Sequence, residues 1–284
     1  MRAAWLPFLF VSRWTGRGPN TALGDGMGEI RTELLDVEGA RVARVTVSRP
    51  EKLNALDSEM MNALIAAFKG LADDDDLRAV ILAGEGGKAW IGGADIREMA
   101  NLSSPRMAGV FIHRLHSCML AVRDLPVPVI AAVGGFCLGG GMELAAACDT
   151  RIASTAAKFG MPEVQVGLPS VIEASLLPIL MGRGRAARLM LTGEVIDAAK
   201  AAEWSFVEEV VAPDALEDSV MAVVGDICRA GPEAIRLQKQ LLRYWEHVPP
   251  DTGAEESIEA FSSAFETGEP AQRLGRFVTR DRDD

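Results

Sequence analysis

The stretch VGGFCLGGGMELAAACD, Val133–Asp149, decides the fold because a buried strand, a glycine turn and a helix follow one another around it. The apolar run VPVIAAV predicts a strand that ends before Gly134-Gly135. The alanine-rich residues after Gly139–Gly141 favour a helix. One carboxylate, that of Glu143, lies inside this predicted helix. A strand that leads into a helix is the unit from which α/β folds are built.

The same alternation continues on both sides of this stretch. Two strands are predicted about Glu38-Gly39, followed by a helix over residues 58–74 with Ser58 as its cap. The run LRAVILAG, 77–84, is a short apolar strand, and residues 105–123 have helical spacing. Strand character returns over residues 150–163. We therefore predict an α/β fold with largely parallel sheets that are covered on both faces.

Differences in pattern divide the chain into three segments. Residues 1–27 are predicted to be a flexible extension, either upstream of a start at Met27 or, as the alternative, a targeting segment. Their apolar patch is too short for a signal peptide. Residues 28–212 carry the alternating pattern and form the predicted core. Residues 213–284 have helical periodicity and form a helical C-terminal portion. Its apolar faces predict burial against other copies of the chain, and they include Ile235, Leu237, Leu241, Leu242 and Trp245.

Composition excludes several classes of function. The 284 residues include 29 basic and 40 acidic side chains, which gives a net charge of −11 and a pI near 4.9. This balance argues against a general affinity for nucleic acid or for anionic membranes. No run reaches the roughly 18 apolar residues that a membrane span requires. Four widely spaced cysteines and three histidines argue against a structural zinc site, and Cys137 and Cys148 are predicted to be buried free thiols.

Two glycine-rich turns are candidates for an anion-binding site. Gly139–Gly141 lie at the predicted start of a helix, where backbone amides lack partners and the helix dipole is positive. Gly92-Gly93-Ala94 lie at a second junction of this kind, with Asp95 as the predicted cap of the next helix. Two amides that converge on one oxygen would form an oxyanion hole. The alternative is that these glycines only allow close packing of helix on strand.

Two glutamates near these turns are candidates for acid–base chemistry. Glu143 lies just inside the helix that follows the triplet, and Glu163 follows Pro162 on a stiff segment. Two carboxylates on separate rigid elements can act as a general acid and a general base. The alternative for Glu143 is a charge that is stabilised by the helix N-terminus.

These stretches together resemble the enoyl-CoA hydratase/isomerase (crotonase) superfamily. The resemblance covers the chain from about residue 30 to its end and implies a β-β-α spiral core with a helical C-terminal portion. It rests on the following stretches: RPEKLNALDSEM (49–60), GGADIREM (92–99), PVPVIAAVGGFCLGGGMELAAACDTRIAS (126–154), AKFGMPEVQVGL (157–168), LMLTGEVIDAAKAAEWSFVEEVV (189–211) and, more weakly, GRFVTRDRD (275–283).

The resemblance implies a role for each candidate residue. In that family two amides hold the thioester oxygen of an acyl-CoA, and the matching positions are Ala94 and Gly140. Its hydratases add water to a 2-enoyl-CoA with two glutamates, which match Glu143 and Glu163. By the same match we expect Glu163 to exchange the proton at Cα and Glu143 to activate water. Contacts to CoA are implied for Lys52, Leu53, Ala55, Gly92, Asp95 and Ile96.

The activity implied is that of a 2-enoyl-CoA hydratase of fatty acid metabolism. The implied assembly is a cytoplasmic homotrimer or homohexamer, without a metal ion or a separate cofactor, since CoA is part of the substrate. Other activities of the same fold stay open, namely enoyl-CoA isomerase, carnitinyl-CoA-type dehydratase and acyl-CoA hydrolase. An acyl-CoA-binding or scaffold protein is the alternative from another class, although such a role needs no pair of carboxylates.

The sequence departs from the family pattern in two places. Gly92 stands where the family usually has alanine or serine. After Glu163, many hydratases have a glycine-rich turn and then Thr-Gln-Arg-Leu, whereas this chain has GLPSVIEASLLPILMG. Two hypotheses apply to Glu173 within that stretch. It can complete a capping box with Ser170, or it can reach the acyl pocket as a third carboxylate that favours a polar or amine-bearing acyl group.

Overall fold

The computed structural model describes Thr21–Ala22 and residues 28–280. The extension predicted for residues 1–27 therefore lies outside the described residues, except for Thr21–Ala22, which pair antiparallel with the next strand. The boundaries predicted for the three segments stay predictions.

The described residues form eleven strands and eleven α-helices. The strands are β1 Thr21–Ala22, β2 Glu29–Val37, β3 Ala40–Ser48, β4 Leu77–Gly84, β5 Ala89–Ile91, β6 Val129–Val133, β7 Phe136–Leu138, β8 Thr150–Ser154, β9 Lys158–Gly160, β10 Val195–Asp197 and β11 Glu209–Val211. The α-helices are α1 Ser58–Ala72, α2 Ile96–Ala100, α3 Pro105–Arg123, α4 Gly140–Ala147, α5 Leu177–Met181, α6 Arg183–Thr192, α7 Ala198–Glu203, α8 Leu216–Arg229, α9 Pro232–Trp245, α10 Pro250–Ala264 and α11 Glu269–Arg280. Short 3₁₀ helices include Pro50–Lys52, Pro162–Val166, Ile172–Leu176, Pro213–Ala215 and Phe265–Thr267.

The larger sheet has seven strands in the order β1-β2-β3-β4-β6-β8-β11. β2 and β3 form the predicted hairpin, in which Val37 pairs with Ala40 across a two-residue turn. Both turn residues, Glu38 and Gly39, have positive φ, as the common two-residue hairpin turn requires. From β3 to β11 all neighbouring strands are parallel, which confirms the predicted α/β arrangement.

This sheet is buried on both faces, which explains why its central strands are continuously apolar. Successive side chains of β4 point to opposite faces. Val80 and Leu82 belong to the larger hydrophobic core, whereas Ala79 and Ile81 pack in a smaller core beneath α8. The first α-helix of the predicted C-terminal portion, α8, thus packs on the sheet. The next helix, α9, also contacts the predicted core segment, since Nζ of Lys239 lies 2.7 Å from Oδ2 of Asp149.

One predicted helix cap is wrong. Ser58 is the first residue of α1, and its cap is Asp57, whose carboxylate accepts the amide of Met60 at 2.9 Å. Ser58 instead directs its hydroxyl to the carboxylate of Glu98. Asp57 and Ser58 are adjacent, and both are residue types that can cap a helix. The contact of Ser58 with Glu98, forty residues away in sequence, cannot be read from the local pattern.

The smaller sheet positions the two glycine-rich turns. Its strand order is β10-β9-β7-β5, and β5 and β7 are parallel neighbours. β5 ends at Ile91, directly before Gly92-Gly93-Ala94, and β7 ends at Leu138, directly before Gly139–Gly141. Because parallel neighbours end at the same edge of a sheet, both turns leave from one place.

Candidate active site

The backbone nitrogens of Ala94 and Gly140 lie near one another at this edge. A Cβ placed on Gly140 would lie 3.6 Å from the Ala94 nitrogen, and one placed on Gly93 would lie 3.7 Å from the Gly140 nitrogen. A parallel β-bridge joins Ala94 and Leu56. The Leu56 amide donates to the Gly93 oxygen, and the Asp95 amide donates to the Leu56 oxygen. This leaves the Ala94 amide facing away from that bridge. Gly140 is the first residue of α4, so its amide has no acceptor within the helix.

The glycines of both turns allow close packing and unusual backbone conformations. Gly93 and Gly139 have φ of +106° and +51°, which other residues rarely adopt. A Cβ on Gly141 would overlap the carbonyl oxygen of Ile91, so α4 can approach β5 only because this position lacks a side chain. The packing hypothesis is therefore correct for Gly141, and it is compatible with a donor role for the residue before it.

Glu143 lies one turn into α4 and is 3% exposed. Its carboxylate accepts the amide of Ala174 at 3.2 Å. Burial raises the pKa of Glu143 to about 8, and the negative charges of Glu163 and Glu173 act in the same direction. A pKa near the working pH allows a carboxyl group either to take or to give a proton, which suits general acid–base chemistry.

Glu163 lies beside the same turn on the 3₁₀ helix Pro162–Val166 and is partly exposed. Its Oε1 atom lies 2.6 Å from the position that a Cβ on Gly139 would take. Its Oε2 atom accepts the hydroxyl of Ser170 at 3.0 Å. The structure therefore brings both predicted glutamates and both predicted amides into one site.

Comparisons with known proteins agree with this arrangement. Residues 38–281 match the family model described as enoyl-CoA hydratase/isomerase. The chain belongs to this family.

Named relatives and solved structures match most of the chain. It is 35% identical to the short-chain-enoyl-CoA hydratase of Clostridium acetobutylicum over 255 residues, 89% of this chain and 96% of that protein. It is also 35% identical to the crotonyl-CoA hydratase of Syntrophomonas wolfei over 84% of this chain and 92% of that one. The crystal structure of an enoyl-CoA hydratase from Bacillus anthracis superposes with a TM-score of 0.83 at 31% identity, covering 88% of this chain and 96% of that one. The crotonase-like fold expected from the sequence is thereby confirmed.

The residues implied to contact CoA surround the first glycine-rich turn, Gly92-Gly93-Ala94, of this enoyl-CoA hydratase/isomerase family member. Leu53 accepts the amide of Gly92 at 2.8 Å, which ties the loop of Lys52, Leu53 and Ala55 to that turn. Ile96 is exposed at the start of α2. The side chain of Asp95 caps α2 through the amides of residues 97 and 98. These contacts place the six residues together, and their role in binding CoA stays a prediction.

Arg49 and Asn54 hold this loop in place, and no clear local pattern pointed to either residue. Arg49 is buried and pairs with Asp95 and Asp57, each at 2.9 Å. Asn54 is fully buried with a φ of +55°. It accepts the Arg49 amide and donates to the carbonyl oxygens of Glu85, Ala89 and Trp90. Asparagine tolerates this backbone conformation better than most residues do, which is the one local signal that could have identified it.

The capping-box hypothesis for Glu173 is wrong. The residue that caps the 3₁₀ helix Ile172–Leu176 is Val171, which makes no side-chain cap bond, and the hydroxyl of Ser170 is turned to Glu163. Glu173 is 4% exposed, and its carboxylate meets Nδ1 of His116 at 3.0 Å. The sequence offered no signal for this contact, since the two residues are 57 positions apart.

The described residues carry neither a cluster of metal ligands nor a membrane-spanning helix. Within Thr21–Ala22 and residues 28–280, no group of three or more His, Cys, Asp or Glu side chains could hold a metal ion. No helix in the part of the chain that the structure describes is long and apolar enough to cross a membrane. All four cysteines are free and buried, as predicted for Cys137 and Cys148.

Proposed function

We propose that this protein is a 2-enoyl-CoA hydratase, which adds water across the α,β double bond of a 2-enoyl-CoA thioester. The observation that carries the proposal is the meeting of Glu143 and Glu163 beside the amides of Ala94 and Gly140. The family membership and the hydratases among the relatives support it. A protein that only bound acyl-CoA would not require a pair of carboxyl groups at this place.

The two amides stabilise the charge that develops during the reaction. When the water oxygen bonds to Cβ, the electrons of the double bond move to the thioester oxygen and form an enolate. Donors that are already aimed at this oxygen need no reorganisation, and one such donor typically contributes on the order of 10²–10³ in rate. The rigid attachment of Ala94 and Gly140 to β5, β7 and α4 supplies this preorganisation.

The two carboxyl groups move the protons. One takes a proton from the attacking water, and the other gives a proton to Cα, so that water is added in full. The pair returns to its starting state when one proton passes between the carboxyl groups or exchanges with solvent. We assign removal of the proton from water to Glu143 and delivery of the proton to Cα to Glu163. The reaction needs no separate cofactor, because CoA enters as part of the substrate.

The pH dependence of kcat/KM tests this division of roles. A protonated carboxyl group cannot take a proton from water, and the pKa of Glu143 lies at about 8. We therefore expect kcat/KM for hydration to rise with pH until it levels off near that value. Initial rates with crotonyl-CoA across this range measure the profile. If activity falls as pH rises through the same range, Glu143 is the acid and Glu163 the base.

The spectrum of a bound conjugated acyl-CoA tests the oxyanion hole. Polarisation of the thioester carbonyl by Ala94 and Gly140 should shift the absorbance of a bound, unreactive conjugated acyl-CoA to longer wavelength. A difference spectrum at saturating ligand measures the shift, and the same ligand free in buffer is the control. An unshifted spectrum at saturation would contradict the assignment of these two donors.

We further propose that the protein assembles as a homotrimer or homohexamer in the cytoplasm. Large apolar side chains stay exposed on α9, α10 and the following turn, and they include Leu242, Trp245, Ile258, Phe261 and Phe265. Such a patch is characteristic of a surface that is covered by another copy. The free buried thiols are compatible with a reducing compartment.

Light scattering at micromolar concentration tests the assembly. We expect a mass of three or six chains of 30.4 kDa. Phe261→Glu, which places a charge in the exposed apolar patch, should lower that mass, whereas Glu259→Gln on the same helix should not. A parental protein that is monomeric at this concentration would refute the proposed assembly.

A further inference from the structure

The contact between His116 and Glu173 lies next to Glu143, because the residue that follows Glu173 bonds to the Glu143 carboxylate. Nδ1 of His116, on α3, meets Oε2 of Glu173 at 3.0 Å. The carboxylate of Glu173 is almost fully buried, and the imidazole is partly exposed. A buried carboxylate requires a partner, and in the ionised pair Nδ1 carries the shared hydrogen.

The segment that carries Glu173 also makes a hydrogen bond to Glu143 on α4. The next residue, Ala174, donates its amide to the carboxylate of Glu143 at 3.2 Å. The preceding residue, Ile172, has a φ of +43°, a conformation that is costly for a β-branched side chain and persists only where neighbours enforce it. His116 is such a neighbour, because its contact with Glu173 fixes the segment to α3 one residue after the strained Ile172.

We propose that His116 and Glu173 are positioning residues that hold the segment Val171–Leu176 against α3. In this position the Ala174 amide and the Glu173 charge both act on the carboxyl group of Glu143. The pair contacts no reacting atom in this account and works through Glu143 alone. This role takes the place of the capping box, and the hypothesis of a pocket carboxylate stays a prediction.

The charges around Glu143 support the assignment. Glu163 and Glu173 both act on its carboxyl group and favour its protonated form. The strands that pack against α4 are β5 and β7, and neither carries a charged side chain. The other ionisable groups of α3 are engaged or turned elsewhere: Arg114 donates to Ser58, Arg123 pairs with Glu246, the Cys118 thiol donates to the Met61 oxygen, and Arg106 and His113 are exposed.

A titration of Glu143 tests the charge of Glu173 without reference to activity. The protein is labelled with ¹³C at glutamate carboxyl carbons, and the signal of Glu143 is the one absent from Glu143→Gln. Glu173→Gln keeps the size of the side chain but removes its charge. We expect the Glu143 midpoint to move to lower pH by roughly half a unit or more. A folded variant with an unmoved midpoint would overturn the electrostatic part of the proposal.

Kinetics of two His116 variants test the positioning role, and this part rests on the proposed hydratase function. In asparagine the amide nitrogen is bonded to Cγ, as Nδ1 is in histidine, so it can donate to Glu173 from a similar position. Leucine fills similar space but has no hydrogen-bond donor. We expect His116→Leu to lower kcat about tenfold with KM within about twofold, and His116→Asn to restore most of the loss.

The control is Ser117→Ala, which should leave kcat unchanged. Among the residues that the structure describes, the Ser117 hydroxyl donates only to the His113 oxygen of the same helix. Equal kcat values for His116→Leu, His116→Asn and the parent would overturn the positioning role. If His116→Leu does not fold, the titration of Glu173→Gln decides. Because that titration requires no turnover, a parental protein without hydratase activity would refute the proposed function and leave the coupling between Glu173 and Glu143 still measurable.

Discussion

Glu143→Gln and Glu163→Gln should each lower kcat for the hydration of crotonyl-CoA by roughly 10²–10⁴, the usual contribution of a positioned acid or base. Glutamine keeps the size of the side chain and its capacity to accept a hydrogen bond, so the Ala174 amide and the Ser170 hydroxyl keep an acceptor. The proposed donors to the thioester, the amides of Ala94 and Gly140, are not touched by the substitutions. Acyl-CoA binding should therefore persist, and initial rates together with a binding titration measure the two effects separately.

Glu59→Gln is the matched control, since Glu59 is an exposed glutamate on α1, and it should hydrate at the parental rate. If either site variant hydrates at close to the parental rate, the role of that glutamate is wrong. If a variant loses acyl-CoA binding as well as turnover, the carboxylate is needed to hold the substrate.

The second large effect is on stability and depends on pH. The pKa of Glu143 is about 8 in the folded protein, against about 4.5 for an unperturbed glutamate. Between these values the folded state binds the proton and the unfolded state does not. The stability that this proton provides is complete below the lower value and is lost as pH rises through about 8.

We therefore expect the parental protein to lose stability relative to Glu143→Gln as pH increases. From about pH 6 to about pH 9 the difference in free energy of unfolding should change by on the order of 3 kcal/mol in favour of the variant. Thermal unfolding of both proteins at each pH measures the difference, because all other groups that titrate are common to the two. A difference that stays constant over this range would show that Glu143 titrates near its ordinary pKa.

The parts of the fold that follow from local pattern were predictable. The hairpin at Glu38-Gly39, the apolar strand 77–84 and the helix 105–123 each carry their signal within a few residues, and each is confirmed. The site was predictable for a different reason. Each of its two turns and each of its two glutamates is weak evidence alone, and the order and spacing of all four identified the family.

The contacts that the sequence did not reveal connect residues far apart in the chain. Asn54 bonds to carbonyl oxygens more than thirty positions away, and His116 meets Glu173 across 57. Local rules then assign the wrong partner, as they did for Ser170, which fits a capping box in sequence but donates to Glu163 in the structure. The prediction that Ser58 caps α1 is wrong for a similar reason, because the neighbouring Asp57, which caps helices equally well, is the N-cap.

The most direct test of the proposed hydratase function is the product that the parental protein forms from crotonyl-CoA in water enriched in ¹⁸O. We expect the absorbance of the conjugated thioester to fall and 3-hydroxybutyryl-CoA to form, with the heavy oxygen in the β-hydroxyl group and the thioester intact. Release of free CoA with the label in a carboxylate would show a hydrolase. Unchanged crotonyl-CoA at saturating concentration would contradict the proposed function.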